Sequence, residues 1–70
     1  MQAEKLIRMA NQIAIFMASK PHAEAVQGTA DHISDFWDPR MRRQLFALVD
    51  ADFDGILPLV KEAAPSIRRA

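Results

Sequence analysis

The sequence predicts an all-α fold, a small bundle of three to four short helices in a single domain over residues 1–70. Apolar residues recur at helical spacing along the chain, and no segment alternates as a strand does. Four prolines divide the chain at points where proline begins or ends a helix. Seventy residues, half of them apolar, are enough for one core and too few for a second domain.

The first predicted helix covers residues 3–19, and the second covers residues 21–36. Lys20-Pro21 separates them, because the residue before a proline is pushed out of the α region. Each helix has an apolar stripe expected to face the core. The stripe of the first helix is Leu6, Met9, Ala10, Ile13, Phe16 and Met17, and that of the second is Ala23, Val26, Ala30, Ile33 and Trp37.

The third predicted helix covers residues 39–51 and begins at Asp38-Pro39. Proline lacks the N–H that would be unpaired in the first turn, and the Asp38 carboxylate can accept a bond from the next free N–H. A fourth predicted helix covers residues 58–64, and the basic tail from Ser66 is expected to be frayed. The apolar stripe of the third helix is Met41, Leu45, Leu48 and Val49.

Composition excludes several classes of function. The absence of cysteine excludes disulfides and thiolate metal sites, and it favours a reducing compartment. No apolar run is long enough to cross a membrane and no signal sequence is recognisable, so we expect a cytoplasmic protein. Nine basic and nine acidic residues cancel, so net charge does not predict a nucleic-acid or membrane partner.

Residues 50–55 resemble the start of a calcium-binding EF-hand loop, with acids at positions 1, 3 and 5 and glycine at position 6. Position 12 must be a bidentate glutamate, but it is Lys61, and Glu62 lies one residue late. One residue turns a helical side chain by about 100°, away from the ion. An acidic turn between two helices is therefore preferred, with calcium binding as the alternative.

No catalytic, cofactor-binding or metal-binding residue can be assigned. His22 and His32 are separated by about 15 Å of helix and cannot share one ion. The few hydroxyl side chains form no nucleophile–base arrangement, and the two glycines form no phosphate-binding loop. We expect no enzyme activity from this chain alone.

Three blocks of sequence carry a family resemblance: MANQIA at residues 9–14, FWDPRMR at residues 36–42 and LPLVKEA at residues 57–63. Over about residues 6–64 the chain resembles the delta subunit of soluble, NAD-dependent, molybdenum-containing formate dehydrogenases. The central block is the specific one, since tryptophan, proline and two arginines stand at fixed spacing. Two departures are the acidic turn before the fourth helix, where the family is glycine- and alanine-rich, and Phe16-Met17 in place of paired aromatics.

The resemblance implies a non-catalytic accessory subunit of a cytoplasmic complex. Its partner would be the catalytic alpha subunit, within a complex that also holds beta and gamma subunits. Molybdenum bis-pterin guanine dinucleotide, iron–sulfur clusters and FMN would be carried by those other subunits and not by this chain. The resemblance leaves open whether the chain is a stable subunit or a transient maturation factor.

Three arginines near the start of the third helix are the main candidates for contact with a partner. Arg40 and Arg43 share one side of that helix, opposite its apolar stripe. Such a face can meet carboxylates on a partner, remain solvated, or contact phosphates. Contact with phosphates would mean that the protein is instead a small helical nucleic-acid-binding or regulatory module. Arg42, between them in sequence, is the third arginine of this candidate contact.

Large apolar residues outside the stripes extend the candidate interface. Ile15, Phe46 and Phe53 have no place on a local stripe, and Phe36 lies at the edge of one. Trp37 follows the stripe of the second helix and is expected to be mostly core. Gly28 is placed on the outer face of that helix, where close approach of a partner or a kink would explain it. The predicted partner interface is Ile15, Phe36, Trp37, Arg40, Arg42, Arg43, Phe46 and Phe53.

Overall fold

The computed structural model describes residues 1–68, and it confirms the all-α prediction. The elements are α1 (Ala3–Met17), α2 (His22–Phe36), α3 (Pro39–Asp50) and α4 (Pro58–Ala63), followed by a 3-10 turn (Ala64–Ser66). No strand occurs among residues 1–68. No helix in this part of the chain is long and apolar enough to cross a membrane.

Proline and its neighbours set the helix boundaries as predicted. Asp38 is the N-cap of α3, where its Oδ1 accepts a 2.8 Å hydrogen bond from the Met41 N–H. Pro39 and Pro58 stand in the first turns of α3 and α4. His22 begins α2 directly after Pro21. These features depend on local backbone chemistry, which is why the sequence pattern locates them to within two residues.

One core joins all four helices. α1 and α4 both pack against α2, and α3 packs against α1. Leu6, Ile33, Leu45 and Val60, one from each helix, are fully buried. Trp37 is only 6% exposed and belongs to the same core, as its stripe predicted.

The buried arc of α1 is rotated from the predicted one. Ile7 and Ala14, outside the predicted stripe, are buried, whereas Phe16 is 73% exposed. The physical reason is that α1 contacts α2, α3 and α4, so its inner face is centred between these neighbours. Ala23, also placed on a stripe, is exposed near the start of α2. The predictions that Phe16 and Ala23 face the core are therefore wrong.

The C-terminal tail is docked rather than frayed over its described part. Ile67 is 2% exposed and joins the core. The Arg68 backbone N–H donates a 2.9 Å bond to Ser34 Oγ, which fastens the tail to α2. The prediction of fraying from Ser66 is thus wrong for residues 66–68, because an apolar side chain follows the 3-10 turn. Residues 69–70 lie outside the described part.

Gly28 faces α1 and not the outer surface, which corrects its predicted position. A Cβ added at Gly28 would stand 2.9 Å from Met17 Sδ, closer than carbon and sulfur atoms normally approach. The missing side chain gives Met17 room to lie against α2. A contact within the fold therefore accounts for this glycine without a partner.

The connection between α3 and α4 is held by a side chain of α1. Asn11 Nδ2 donates a 2.8 Å hydrogen bond to the Gly55 carbonyl, and Asn11 Oδ1 accepts a 3.1 Å bond from the Leu57 N–H. Asp52 and Gly55 adopt positive φ values of 54° and 94°, which let the chain turn tightly here. One amide group thus fixes the entry into α4.

Candidate partner interface

The corner between α2 and α3 contains a buried arginine. Arg42 is 6% exposed, and its Nη1 donates hydrogen bonds to the carbonyl oxygens of Ser34 at 2.9 Å and Trp37 at 3.2 Å. These carbonyls belong to the last turn of α2 and its C-cap, where acceptors lack partners within the helix. A cation here also meets the negative end of the helix dipole. Arg42 therefore caps α2 and is not exposed to a partner in this fold.

Arg68 reaches the same carbonyl from the tail. Its Nη1 lies 3.3 Å from the Ser34 carbonyl oxygen, and its Nη2 lies 3.5 Å from Asp35 Oδ1. The guanidinium groups of Arg42 and Arg68 thus converge on one acceptor. Within residues 1–68, Arg42 Nε is buried without a hydrogen-bond partner. Arg68 of the tail and Arg42 of α3 thus both bond carbonyl oxygens at the C-terminal end of α2.

Two aromatic residues of the predicted interface are also interior. Trp37 and Phe46 are each 6% exposed and belong to the core. Phe46 was placed off the stripe of α3, but Arg42, Leu45 and Phe46 are the buried residues of this helix. The buried arc of α3 is wider than its predicted stripe because α3 packs on α1 and also closes the end of α2. Neither ring is available as an exposed docking group.

Three of the predicted residues are exposed around the corner between α2 and α3, and Phe36, Arg40 and Arg43 are together called the corner surface. Phe36 is 74% exposed, and both arginines are exposed. Within residues 1–68, no carboxylate lies within 4 Å of either guanidinium. The nearest acids along the chain have other partners, since Asp38 caps α3 and Asp35 faces Arg68. The corner surface is therefore apolar and cationic, with no internal counter-ion among these residues.

The remaining two candidates, Ile15 and Phe53, line one groove and are together called the turn surface. Ile15 is 64% exposed, Phe53 is half-buried, and both line a shallow groove of about 480 Å³ between α1 and the connection to α4. Folding thus brings together two residues that the sequence pattern singled out separately.

The α1–α2 groove was missed by the sequence analysis. It has a volume of about 380 Å³, and the ring of Phe36 lies against one of its lining residues, with its centroid 4.7 Å from that of His32. The sequence does contain a signal for an exposed apolar surface on α1. Ile15, Phe16 and Met17 are consecutive, and their side chains point about 100° apart, so they cannot all face one core. The groove is lined by Met9, Gln12, Ile13, Phe16, Met17, His32 and Trp37.

In the EF-hand-like turn, the carboxylate of Asp52 is paired with a lysine. Lys61 Nζ lies 2.7 Å from Asp52 Oδ1, and this hydrogen bond and the charge of Lys61 hold the pKa of Asp52 below its ordinary value. His22 Nε2 lies 2.7 Å from Glu62 Oε2 and joins the start of α2 to α4. Over residues 1–68, no three His, Asp or Glu side chains are grouped to hold a metal ion.

Comparison with known proteins identifies the family. A family model described as the NADH-dependent formate dehydrogenase delta subunit FdsD matches residues 5–64 of the 70-residue chain. No curated protein matches it. The matched region includes α1 from residue 5 onward, all of α2, α3 and α4, and the entire corner surface. It agrees with the resemblance carried by the three sequence blocks. The chain therefore belongs to the FdsD family, the delta subunits of NADH-dependent formate dehydrogenase.

Proposed function

We propose that this chain is a non-catalytic accessory subunit that docks on the catalytic alpha subunit of a cytoplasmic formate dehydrogenase. The observation that carries the proposal is the family match over residues 5–64, which places the chain among the delta subunits of NADH-dependent formate dehydrogenase. Alpha as the docking partner, and beta and gamma as the remaining subunits, are part of the proposal.

The corner surface supports a docking role. Phe36 is 74% exposed, and aromatic residues and arginine are both enriched in protein interfaces. Arg40 and Arg43 have no carboxylate within 4 Å among residues 1–68. Arginine pairs well with carboxylates because its planar guanidinium can donate two parallel hydrogen bonds. We propose that acidic groups of alpha meet these two arginines.

Docking would stabilise alpha by mass action. A ligand that binds only one state of a protein stabilises that state, by about 2.7 kcal/mol when the free ligand is at a hundredfold excess over its Kd. In the proposal, the state recognised by this chain is the cofactor-loaded conformation of alpha. The molybdenum cofactor, iron–sulfur clusters and FMN belong to the other subunits, in keeping with a chain that has no cysteine to ligate a cluster.

The proposal is tested by purifying the tagged chain from its native cytoplasm and assaying what is recovered with it. Molybdenum, iron and formate-dependent NAD reduction in the eluate would establish a stable subunit. Alpha recovered without molybdenum would instead identify a maturation factor, and recovery of no dehydrogenase subunit would refute both forms. Duplex DNA bound by the isolated chain would favour a nucleic-acid-binding module.

Charge reversal at the corner surface gives a sharper test. Arg43→Glu should weaken recovery of alpha while leaving the helix content unchanged, because Arg43 is exposed. Lys20→Glu is the matched control: Lys20 precedes α2 and Arg43 follows it, and the 15 residues of α2 span about 22 Å. Equal recovery with Arg43→Glu and wild type would remove the arginines from the proposal.

A further inference from the structure

The α1–α2 groove has the chemistry of a binding surface for an apolar segment. Phe16, 73% exposed, lines its α1 side, and Phe36, 74% exposed, packs against His32, which lines its α2 side. Two large exposed rings beside one groove form a patch of the kind that marks interaction sites. Aromatic side chains are also enriched among the residues that dominate binding energy.

The floor of the groove is adaptable. Met9 and Met17 line it, and methionine fills irregular space because its side chain is unbranched and flexible. Met17 keeps its place against α2 because residue 28 is glycine. A shallow apolar channel between two helices suits a helical segment that inserts side chains at intervals of three or four residues.

One end of this surface is cationic. Phe36 packs on His32, which lines the groove, and Arg40 follows Phe36 by four residues, which keeps their two Cα atoms within about 14 Å. The acids of α2 that lie nearby are engaged internally: Asp31 accepts a 2.7 Å bond from Gln27, and Asp35 faces Arg68. An occupant would therefore meet the guanidinium groups of Arg40 and Arg43 at this end, where neither has a carboxylate within 4 Å among residues 1–68.

These observations favour a protein segment over a nucleic acid. A nucleic-acid backbone would offer phosphates to Arg40 and Arg43 but no aliphatic side chains to the groove, and its affinity depends on several phosphate contacts. An amphipathic segment with carboxylates at one end satisfies both parts of the surface at once.

We propose that the α1–α2 groove and the corner surface bind one continuous amphipathic segment of a partner subunit, with apolar side chains in the groove and Asp or Glu side chains beside Arg40 and Arg43. This inference rests on the proposed function, since it takes another subunit of the dehydrogenase as the partner. It adds the location of the main contact, which includes Phe16, and the chemistry of the segment bound there.

Photo-crosslinking in the assembled complex tests the continuity of the segment. The photoreactive analogue benzoylphenylalanine replaces Phe16 or Phe36 in the tagged full chain, which is co-expressed with the alpha, beta and gamma subunits. We expect both positions to crosslink to one partner segment of no more than about 20 residues, since a helix of that length spans the 30 Å long axis of this protein. Acidic residues should lie at the end crosslinked from position 36.

Binding measurements with the purified chain and the purified complex of the other subunits test the energetics. Phe16→Ala should raise Kd at least about tenfold, whereas Ile15→Ala, the next residue and similarly exposed but facing the other groove, should raise it less than about threefold. Arg43→Ala should reduce the dependence of Kd on salt, and Phe16→Ala should leave that dependence unchanged.

The outcomes separate this inference from the proposed function. Failure of the wild-type chain to bind any dehydrogenase subunit overturns both. Binding by wild type with crosslinks to two distant segments, or to a second copy of this chain, overturns only the inference. A larger effect of Ile15→Ala than of Phe16→Ala also overturns it, because the main contact would then lie on the side of α1 that Ile15 faces and not in the α1–α2 groove.

Discussion

Replacing Arg42 by methionine removes the two hydrogen bonds that cap the end of α2 while keeping an unbranched apolar stem of similar length. Arg42 Nη1 is a donor to both the Ser34 and the Trp37 carbonyls. After the substitution, Ser34 O retains the 3.3 Å contact from Arg68. The Trp37 carbonyl loses the charged donor that bonds it.

The expected loss of stability follows from two opposing effects. Hydrogen bonds from charged donors contribute about 1.5–3 kcal/mol each. Against this, methionine removes the cost of burying a guanidinium, and replacing whole buried ion pairs by apolar residues is often neutral. Here only the donor is removed and the carbonyls stay, so we expect a net loss of about 2–3 kcal/mol. For 70 residues, the total free energy of unfolding is on the order of 4–10 kcal/mol.

Thermal unfolding followed by circular dichroism measures this loss. The midpoint for Arg42→Met should fall by about 8–24 °C, since 1 kcal/mol corresponds to about 4–8 °C in a domain of this size. Arg43→Met is the matched control because Arg43 is exposed, and its effect should stay within about 0.5 kcal/mol. Equal midpoints for the two variants would refute the capping role of Arg42.

Three further substitutions test other contacts. Lys61→Met should return the lowered pKa of Asp52 toward 3.8 in an NMR titration. In wild type, the stabilisation by the Asp52–Lys61 pair should be present above pH 3.8 and should disappear as the pH falls through the lowered pKa of Asp52. Gly28→Ala should stabilise the protein by about 1 kcal/mol when Met17 is also replaced by alanine, as measured by urea unfolding. It should stabilise wild type by less, because there the new Cβ meets the sulfur of Met17. Equal effects in the two backgrounds would contradict this contact. Ile67→Ala should cost about 2 kcal/mol in the same assay, whereas a change below about 0.5 kcal/mol would mean that the tail adds nothing.

Helix boundaries could be predicted because they depend on neighbours in sequence. Pro39 and Asp38 determine the start of α3 through one missing donor and one carboxylate acceptor, whatever the rest of the fold does. The burial of Trp37 followed from its place on the apolar stripe of α2. The exposure of Arg40 and Arg43 followed from their position opposite the stripe of α3. Their contacts with a partner stay a prediction.

The errors arose where tertiary contacts decide. Periodicity does not show that α1 has three neighbours, so Phe16 was placed in the core and Ile7 was not. Arg42 looks like a surface residue until the free carbonyls of α2 are brought beside it. The sequence pattern places Gly28 on the outer face of α2, but Met17 of α1 fills the space beside its Cα. In each case the deciding group lies on a different element.

The amide of Asn11 also determines how the last part of the chain comes apart. Its two bonds join residues 44 and 46 positions away, and α4 beyond them has only six residues, too few to persist as an isolated helix. We therefore expect the turn, α4 and the docked tail to open as one cooperative unit, with the Asn11 contacts as one of the bonds that keep the unit closed, beside the packing of Val60 and Ile67 in the core. In native-state hydrogen exchange, amides of α4 should share a single opening free energy, and Asn11→Ala should lower it for all of them together.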